Sequence, residues 1–416
     1  MALVVQKYGG SSVADAERLK SVAGRVARAR AQGDDVVVVV SALGDTTDEL
    51  LALAAELNPR PPDREMDMLL STGEQVSIAL LAMALDAMGV PAISFTGQQV
   101  GIVTDNSFTK AKIREVRADR IREQLAKGRV VVVAGFQGVS ADGEDITTLG
   151  RGGSDTTAVA IAAELKADVC EIYTDVEGVF TADPRIVPGA RKISEISYDE
   201  MLEAAANGAK VLQLRAVEYG RNHGVVIHVR SSFCEDCGTL VKGEDAMMER
   251  AILSQVTYDA SEAKVTIRDV PDRPGVAARV FRVLADANVN VDMIVQNISE
   301  AGLTDISFTV NRDDLGRAEE AVRSAIGELG ARDVAVDTSI AKVSLVGAGM
   351  KSHPGVAARM FEALARAGIN IEMISTSAIR ISCVVPGDQV AGAVSAVHDE
   401  FEAELEQSEA VPEAGA

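Results

Sequence analysis

Pro274-Gly275-Val276-Ala277-Ala278-Arg279 returns 80 residues later as Pro354-Gly355-Val356-Ala357-Ala358-Arg359. The match continues through Phe281/Phe361, Leu284/Leu364, Ala285/Ala365, Ala287/Ala367, Asn290/Asn370, Met293/Met373 and Ile294/Ile374, giving 13 identities in 21 positions. Self-similarity this dense marks a duplicated structural unit. Each copy reads strand, turn, helix, strand, strand, helix, the order of a small ferredoxin-like βαββαβ sandwich. The repeat therefore divides the chain into a first domain, 1–240, a linker with a first strand, 241–262, and two like modules, 263–340 and 341–403. The polar stretch from Gly238 to Arg250 supplies the linker, and 404–416 reads as a disordered, acidic, Ala-rich tail.

The first domain alternates apolar strands with helical stretches. Strands are expected at Leu3–Lys7, Val36–Ser41, Ala92–Thr96, Val130–Phe136, Val169–Thr174 and Val225–Arg230. Helical periodicity covers Asp15–Arg30, and Met66–Met88 reads as a long helix interrupted at Ser71-Thr72-Gly73-Glu74. Continuous apolar strands between helices predict an α/β fold, a three-layer αβα arrangement on a mainly parallel sheet. Aromatic residues are only 3% of the chain and Trp is absent, so the core must be built from aliphatic side chains. A formal charge of −21 argues against nucleic acid or an anionic membrane as partner. No apolar run of spanning length stands out and the N-terminus carries no export signal, which together predict a cytoplasmic protein. Cys234 and Cys237, with His223 and His228 upstream, lack the order and spacing of a zinc site and read as a loop with thiols; no metal site is expected.

In a parallel sheet ligands bind where loops leave the carboxyl ends of the strands. There the chain places Tyr8-Gly9-Gly10-Ser11, Ser41-Ala42-Leu43-Gly44, Thr174-Asp175 and, ahead of an Ala-rich helix, Gly150-Arg151-Gly152-Gly153-Ser154-Asp155. Glycine lets backbone amides close on an anion, and a helix start adds unpaired donors. Arg151 offers a fork for a carboxylate or phosphate, and Lys7 beside Gly9 and Gly10 suits a phosphate. The same glycines also suit a ligand-free turn, and Glu74 reads equally as part of a solvated helix face. The loop from Tyr173 to Arg185 could grip a base and ribose, with Arg185 toward the phosphates, or be an ordinary connection. No GxxxxGK[ST] or GxGxxG stands after the first strand, so neither a P-loop nor a dinucleotide site is supported.

Taken together, KYGGSS, VVVVVSALGDTTDELL, EMDMLLSTGEQVS, FTGQQVG, VVVAGFQG, TTLGRGGSDTTAVA and VCEIYTDVEGVFTADPRIVP resemble, in order and over nearly the whole chain, the aspartokinases of the amino-acid-kinase superfamily. The resemblance is to the lysine-pathway α-subunit form of high-GC Gram-positive bacteria. It implies a carbamate-kinase-like catalytic domain followed by two ACT modules, and transfer of phosphate from ATP to the side chain of L-aspartate. Mg²⁺ would be held mainly by phosphates and water. Lys7 and Asp155 would be catalytic. Lys7, Tyr8, Gly9, Gly10, Ser11, Thr174, Asp175, Phe180, Arg185 and Lys210 would bind ATP. Ser41, Thr47, Glu74, Arg151, Gly152, Gly153 and Ser154 would bind aspartate, Arg151 a carboxylate and Glu74 the amino group. Phe180 stands where the family often has Tyr, which keeps ring packing and loses a hydroxyl.

ACT modules bind amino acids at interfaces between modules, so the resemblance also implies feedback inhibition by lysine and threonine. Asp272 with Pro274, Gly275 and Val276 offers an acid for an ammonium and helix-start amides for a carboxylate. Asn290, Asp292, Gln296 and Asn297 add polar groups. In the second copy His353, Pro354, Gly355, Val356, Asn370, Glu372, Ser375 and Thr376 take those positions without the acid, so two non-equivalent pockets or one asymmetric one are expected. The subclass implies a homo-oligomer, or an α₂β₂ assembly if Met247 or Met248 starts a small ACT-only subunit. Another acyl-phosphate-forming kinase, acting on glutamate, and a non-catalytic amino-acid sensor are the alternatives.

Overall fold

The computed structural model describes residues 2–235, 238–243, 253–297 and 302–406. Two packing units emerge. The first runs through Val179 and takes in Lys192–Ala205 and the residues from Lys210; the second takes Phe180–Arg191, Ala206–Ala209 and the chain from the strand Gln255–Asp259 onward.

The first unit is organised on an eight-stranded sheet, at whose centre lie Val169–Thr174, Leu3–Tyr8, Asp35–Val40 and Val130–Ala134, paired in parallel. Val36, Val38 and Val40 pack against the helices Ala16–Ala31 and Asp63–Ala87 through Leu19, Val22, Val26, Ile78, Leu81 and Leu85. Helix Gly153–Leu165 packs on the strand Leu3–Tyr8, and ten of its residues, Gly153 to Ala162, are buried. Burial on both faces is why these strands read as continuous valine runs rather than as alternation. At one edge Thr239–Lys242 runs antiparallel to Ile227–Ser231, so part of the stretch read as linker is a strand of this sheet. Residues 244–252, which hold Met247 and Met248, lie outside the described residues, as does Cys237.

Two further sequence expectations are corrected. The helix Asp63–Ala87 is unbroken through Ser71-Thr72-Gly73-Glu74. Gly73 serves close approach there, since a Cβ would sit 2.8 Å from that of Ala42. The same helix does reach membrane-spanning length and apolarity, but Ile78, Leu81 and Leu85 are spent in the sheet core. A small four-stranded sheet, Ile113–Val116, Ile102–Thr104, Gln137–Val139 and Ile146–Thr148, also forms and leads into the Gly150 turn.

In the second unit each repeat forms an antiparallel four-stranded sheet under two helices. The first has Ile294–Gln296, Leu303–Asn311, Glu262–Pro271 and Asp333–Asp337. The second has Met373–Thr376, Arg380–Pro386, Ile340–Val346 and, in the place of the first module's last strand, Gln255–Asp259. The first module is thus inserted between a strand of the second and the rest of it. The tail begins with a short helix, Glu402–Glu406, whose Leu405 is buried, rather than with disorder at 404; 407–416 lie outside the described residues.

Candidate active site

Lys7 is the last but one residue of a central strand, and strand alternation sends it and Tyr8 to opposite faces. Lys7 Nζ lies 2.6 Å from Asp155 Oδ1, with both side chains 11% exposed. Asp155 sits in the first turn of the helix Gly153–Leu165, where a carboxylate meets the positive end of the helix dipole. Tyr8 is fully buried and stacks on Tyr173 at 4.6 Å. Its ring therefore belongs to the core, and only its backbone reaches the site. The Gly9 amide is likewise engaged, donating to the Tyr173 carbonyl at 3.3 Å.

The glycine turns interlock. Gly44 donates its amide to the Gly10 carbonyl at 3.1 Å and Ser41 its amide to that of Tyr8 at 3.1 Å. A Cβ on Gly10 would lie 2.9 Å from the Gly44 carbonyl oxygen, so only glycine permits this approach. Ser41 Oγ hydrogen-bonds Ser154 Oγ at 3.0 Å, joining the second strand's loop to the Gly153 helix. Thr47 lies in the first turn of the neighbouring helix, Thr46–Leu57.

Glu74 is 3% exposed. Its Oε1 accepts the Ala42 amide at 3.1 Å, while Oε2 is buried with no hydrogen-bond partner among the described residues. Burial pushes this carboxyl up to about 7. The solvated-face reading of Glu74 is thereby excluded.

Arg151, by contrast, is exposed. Gly150 and Gly152 hold the turn around it at φ 78° and 71°, in the left-handed region that favours glycine. Sequence reasoning missed what fixes this turn. Asp67 is fully buried and accepts the Thr148 amide at 2.8 Å, the Thr148 hydroxyl at 2.6 Å and the Thr109 amide at 3.0 Å. Burial raises the Asp67 carboxyl despite those donors. Arg215 donates to the carbonyls of Leu149 at 2.7 Å and Ala111 at 2.9 Å, and Gln213 Nε2 to that of Arg151 at 2.5 Å. One signal was available: Asp67 precedes Glu74 by two helical turns, on the same helix face.

Thr174 hydrogen-bonds Asp175 at 2.9 Å, and its carbonyl accepts from the Ser232 amide at 2.9 Å; Ser232 in turn bonds Ser12 at 2.8 Å, beside the first glycine turn. Lys210 is exposed in the same unit. Phe180 and Arg185 fall in the second unit, where Asp183 holds the Arg185 guanidinium through both oxygens at 2.7 and 3.0 Å. Among the described residues no group of three His, Cys, Asp or Glu side chains could cage a metal ion.

Of the residues expected to bind effectors, Asp272, Pro274, Gly275, Val276 and Gln296 line one cleft of about 330 Å³ in the first module. Asn290, Asp292 and Asn297 are exposed and lie outside its lining. Asp292 is instead paired with Lys342, whose other partner, Glu262, is at 2.5 Å. Glu372 is paired with Lys264. Of the remaining second-module residues, His353, Pro354, Gly355, Asn370 and Thr376 are exposed, Ser375 is half-buried and Val356 is buried.

Residues 2–231 match the amino acid kinase family, and residues 265–327 and 343–401 each match the ACT domain. The aspartokinase of Mycolicibacterium smegmatis is 60% identical over 405 residues, 96% of either chain. That of Corynebacterium glutamicum is 55% identical over 406 residues, 97% of this chain and 96% of the other. Among solved structures, E. coli aspartokinase III in complex with aspartate and ADP is 27% identical with a TM-score of 0.82, covering 96% of this chain and 100% of that one. E. coli aspartokinase III in complex with lysine and aspartate is 28% identical with a TM-score of 0.73, covering 95% and 99%.

Proposed function

The chain belongs to the aspartokinases of the amino acid kinase family, and from that membership we propose how its residues phosphorylate aspartate. The reaction is ATP + L-aspartate → ADP + 4-phospho-L-aspartate. The acceptor carboxylate has a pKa of about 4 and is already ionised at neutral pH, so no general base is required. The obstacle is electrostatic: an anion must approach the γ-phosphoryl group within a chain of net charge −21. Positioning and charge neutralisation are what such a transfer needs.

The observation that carries the assignment is the Lys7–Asp155 pair at the carboxyl edge of the sheet. Lys7 would neutralise the transferring phosphoryl oxygens, and Asp155 would hold the ammonium in place without acting as a base. Gly10, Ser11 and the backbone of Tyr8 would line the phosphates. Thr174, Asp175, Phe180, Arg185 and Lys210 would hold the rest of the nucleotide. Mg²⁺ would be held mainly by the phosphates and water, among the described residues no carboxylate cage being offered, and it would supply further charge neutralisation.

Aspartate would bind between Glu74 and the Gly150–Ser154 turn. The uncommitted Glu74 Oε2 suits its ammonium, and Arg151, Ser41, Thr47, Gly152, Gly153 and Ser154 its carboxylates. E. coli aspartokinase III, solved with aspartate and ADP, supports this choice of substrate. Trapping the acyl phosphate as a hydroxamate, together with ADP release, should occur with L-aspartate and not with L-glutamate; equal yields would overturn the assignment.

The product would enter synthesis of lysine, threonine, methionine and diaminopimelate. Lysine and threonine would act through the ACT modules, with Asp272 and the Gly275 helix start as one half of an amino-acid pocket. The E. coli enzyme solved with lysine supports that class of effector. A cytoplasmic homo-oligomer, or an α₂β₂ assembly with an ACT-only subunit, completes the proposal.

A further inference from the structure

No motif marks the loop between the short strands Ile102–Thr104 and Ile113–Val116, yet the fold builds it against the Gly150 turn. Asp105 closes the loop on itself, accepting the amides of Ser107 at 3.2 Å and Lys112 at 3.1 Å. The Ala111 amide donates to the Thr148 carbonyl at 2.9 Å. Asp67 accepts the Thr109 amide at 3.0 Å and the Thr148 amide at 2.8 Å, so one buried acid serves both segments. Arg215 does the same from its side, donating to the Ala111 carbonyl at 2.9 Å and the Leu149 carbonyl at 2.7 Å. A Cβ on Gly150 would lie 3.0 Å from the Thr109 carbonyl oxygen and 3.9 Å from Lys110 Cγ. The stem of Lys110 thus starts beside the turn that carries Arg151.

Holding Lys110 there is costly. Thr109 has φ 64°, a left-handed conformation in which a β-branched residue is a genuine outlier. Strain of this kind collects where a side chain has to be placed for a ligand. The acid and the guanidinium that fix the loop are spent on main-chain groups rather than on each other. What they place is a free cation: Lys110 is exposed, and among the described residues its side chain makes no hydrogen bond or ion pair. The same holds for Arg151. Two cations with no acidic partner, on adjoining segments of a chain of net charge −21, make a local site for an anion.

We propose that Lys110 is a binding residue for the acceptor and holds, with Arg151, the carboxylate of aspartate that does not react. The inference rests on the reading of the Gly150–Ser154 turn as the acceptor subsite. Asp155, paired with Lys7, stands at the helix end of that turn, and Lys110 lies against its strand end. The reacting carboxylate belongs at the Lys7 end, where the phosphoryl group arrives, which leaves the other for Lys110. A contact made equally before and during transfer lowers KM and leaves kcat alone.

The test uses the full-length enzyme, with kcat and both KM values measured for Lys110→Met, Lys110→Arg and Arg151→Ala. Lys110→Met should raise the KM for aspartate roughly three- to tenfold, the scale of an ion pair open to solvent, while the KM for ATP stays within about twofold. Lys110→Arg, which keeps the charge, should recover most of that loss. Added salt should raise the KM for aspartate more in the parent than in Lys110→Met, because screening acts on the charge that the variant lacks. A merely structural lysine moves neither the salt dependence nor the charge-keeping rescue. Equal losses in Lys110→Met and Lys110→Arg, or a fall in kcat with the KM for aspartate unchanged, overturn the inference. An unchanged KM in Lys110→Met, while Arg151→Ala raises it, overturns the inference and leaves the acceptor reading standing. An unchanged KM for aspartate in Arg151→Ala overturns that reading and the inference with it.

Discussion

Glu74→Gln separates two consequences of one buried carboxyl. In the ligand-free fold, burial moves Glu74 from 4.5 to about 7. At about 1.36 kcal/mol per tenfold in proton affinity, its ionised form costs the native state about 3 kcal/mol. The folded value lies above the unfolded one, so between pH 4.5 and 7 the folded chain keeps a proton that the unfolded chain has released. The stabilising contribution of the protonated acid is therefore complete below pH 4.5 and is lost as pH rises through about 7. Glutamine cannot ionise. Urea unfolding of the ligand-free variant should show it matching the parent near pH 4 and exceeding it by up to about 3 kcal/mol at pH 8.

Aspartate reverses the sign. An ammonium set against Oε2 favours the carboxylate, so binding at pH 7 should expel about half a proton per aspartate. Aspartate affinity should then improve as pH rises from about 6 to 8. Calorimetry in two buffers of different ionisation heat reads the proton directly. In Glu74→Gln the heat should be the same in both buffers, and the KM for aspartate should rise by about tenfold or more for loss of a charged partner. The same pH slope of stability in parent and variant, or proton uptake on binding, would refute the reasoning.

Lys7→Ala should lower kcat by about a thousandfold or more, as ADP release will show, because Lys7 acts on charge that develops in transfer; stranding the buried Asp155 should also lower the urea midpoint. Asp67→Asn sets an amide donor against the Thr148 and Thr109 amides; it should raise the KM for aspartate and cost about 2 kcal/mol in denaturant unfolding. Lys342→Met strands Glu262 and Asp292 without their buried cation and should cost about 3 kcal/mol by the same measurement. Its repeat equivalent Lys264→Met, at a wetter site, should cost about 1 kcal/mol. Burial holds His398 below its ordinary 6.5, so the unfolded chain takes the proton first. Its contribution to stability should be full above pH 6.5 and decline as pH falls, a slope that His398→Ala should remove in pH-dependent melting.

The parts of the fold that could be read from the sequence are those with a long or repeated signal. The valine runs at 36–40 and 130–133 announce strands buried on both faces, and the repeat announces the modules. The strands Ile102–Thr104, Gln137–Val139 and Ile146–Thr148 span three residues each, too short to show a period. The unbroken helix at Gly73 defied propensity because the glycine is there for Ala42 to pass. In the site, the loops were legible from their glycines and charges, but side-chain direction was not: Tyr8 turns into the core and Glu74 out of solvent. Asp67 was hidden because an acid in a helix looks solvated until its donors, Thr109 and Thr148, are brought in from far along the chain. The inserted order of the modules was hidden for a different reason. Gln255–Asp259 has the same strand pattern whichever sheet it joins, and only packing decides.

The duplicated modules meet through residues that the repeat makes equivalent. Lys264 and Lys342 begin the same motif in the two copies, and Asp292 and Glu372 are likewise equivalent by the repeat. The structure pairs them crosswise, Lys342 with Asp292 and Lys264 with Glu372, around Met293, Met373, Ile340 and Val384. A crosswise set of equivalent residues is what a two-fold contact between two copies of one module produces. The acids in it pair with the lysine of the other module. Elsewhere the copies have diverged. In the helix-start loop Arg273 of the first module corresponds to His353 of the second, which is bonded through Nδ1 to the Gly349 carbonyl at 2.9 Å, and Asp272 has no acidic counterpart.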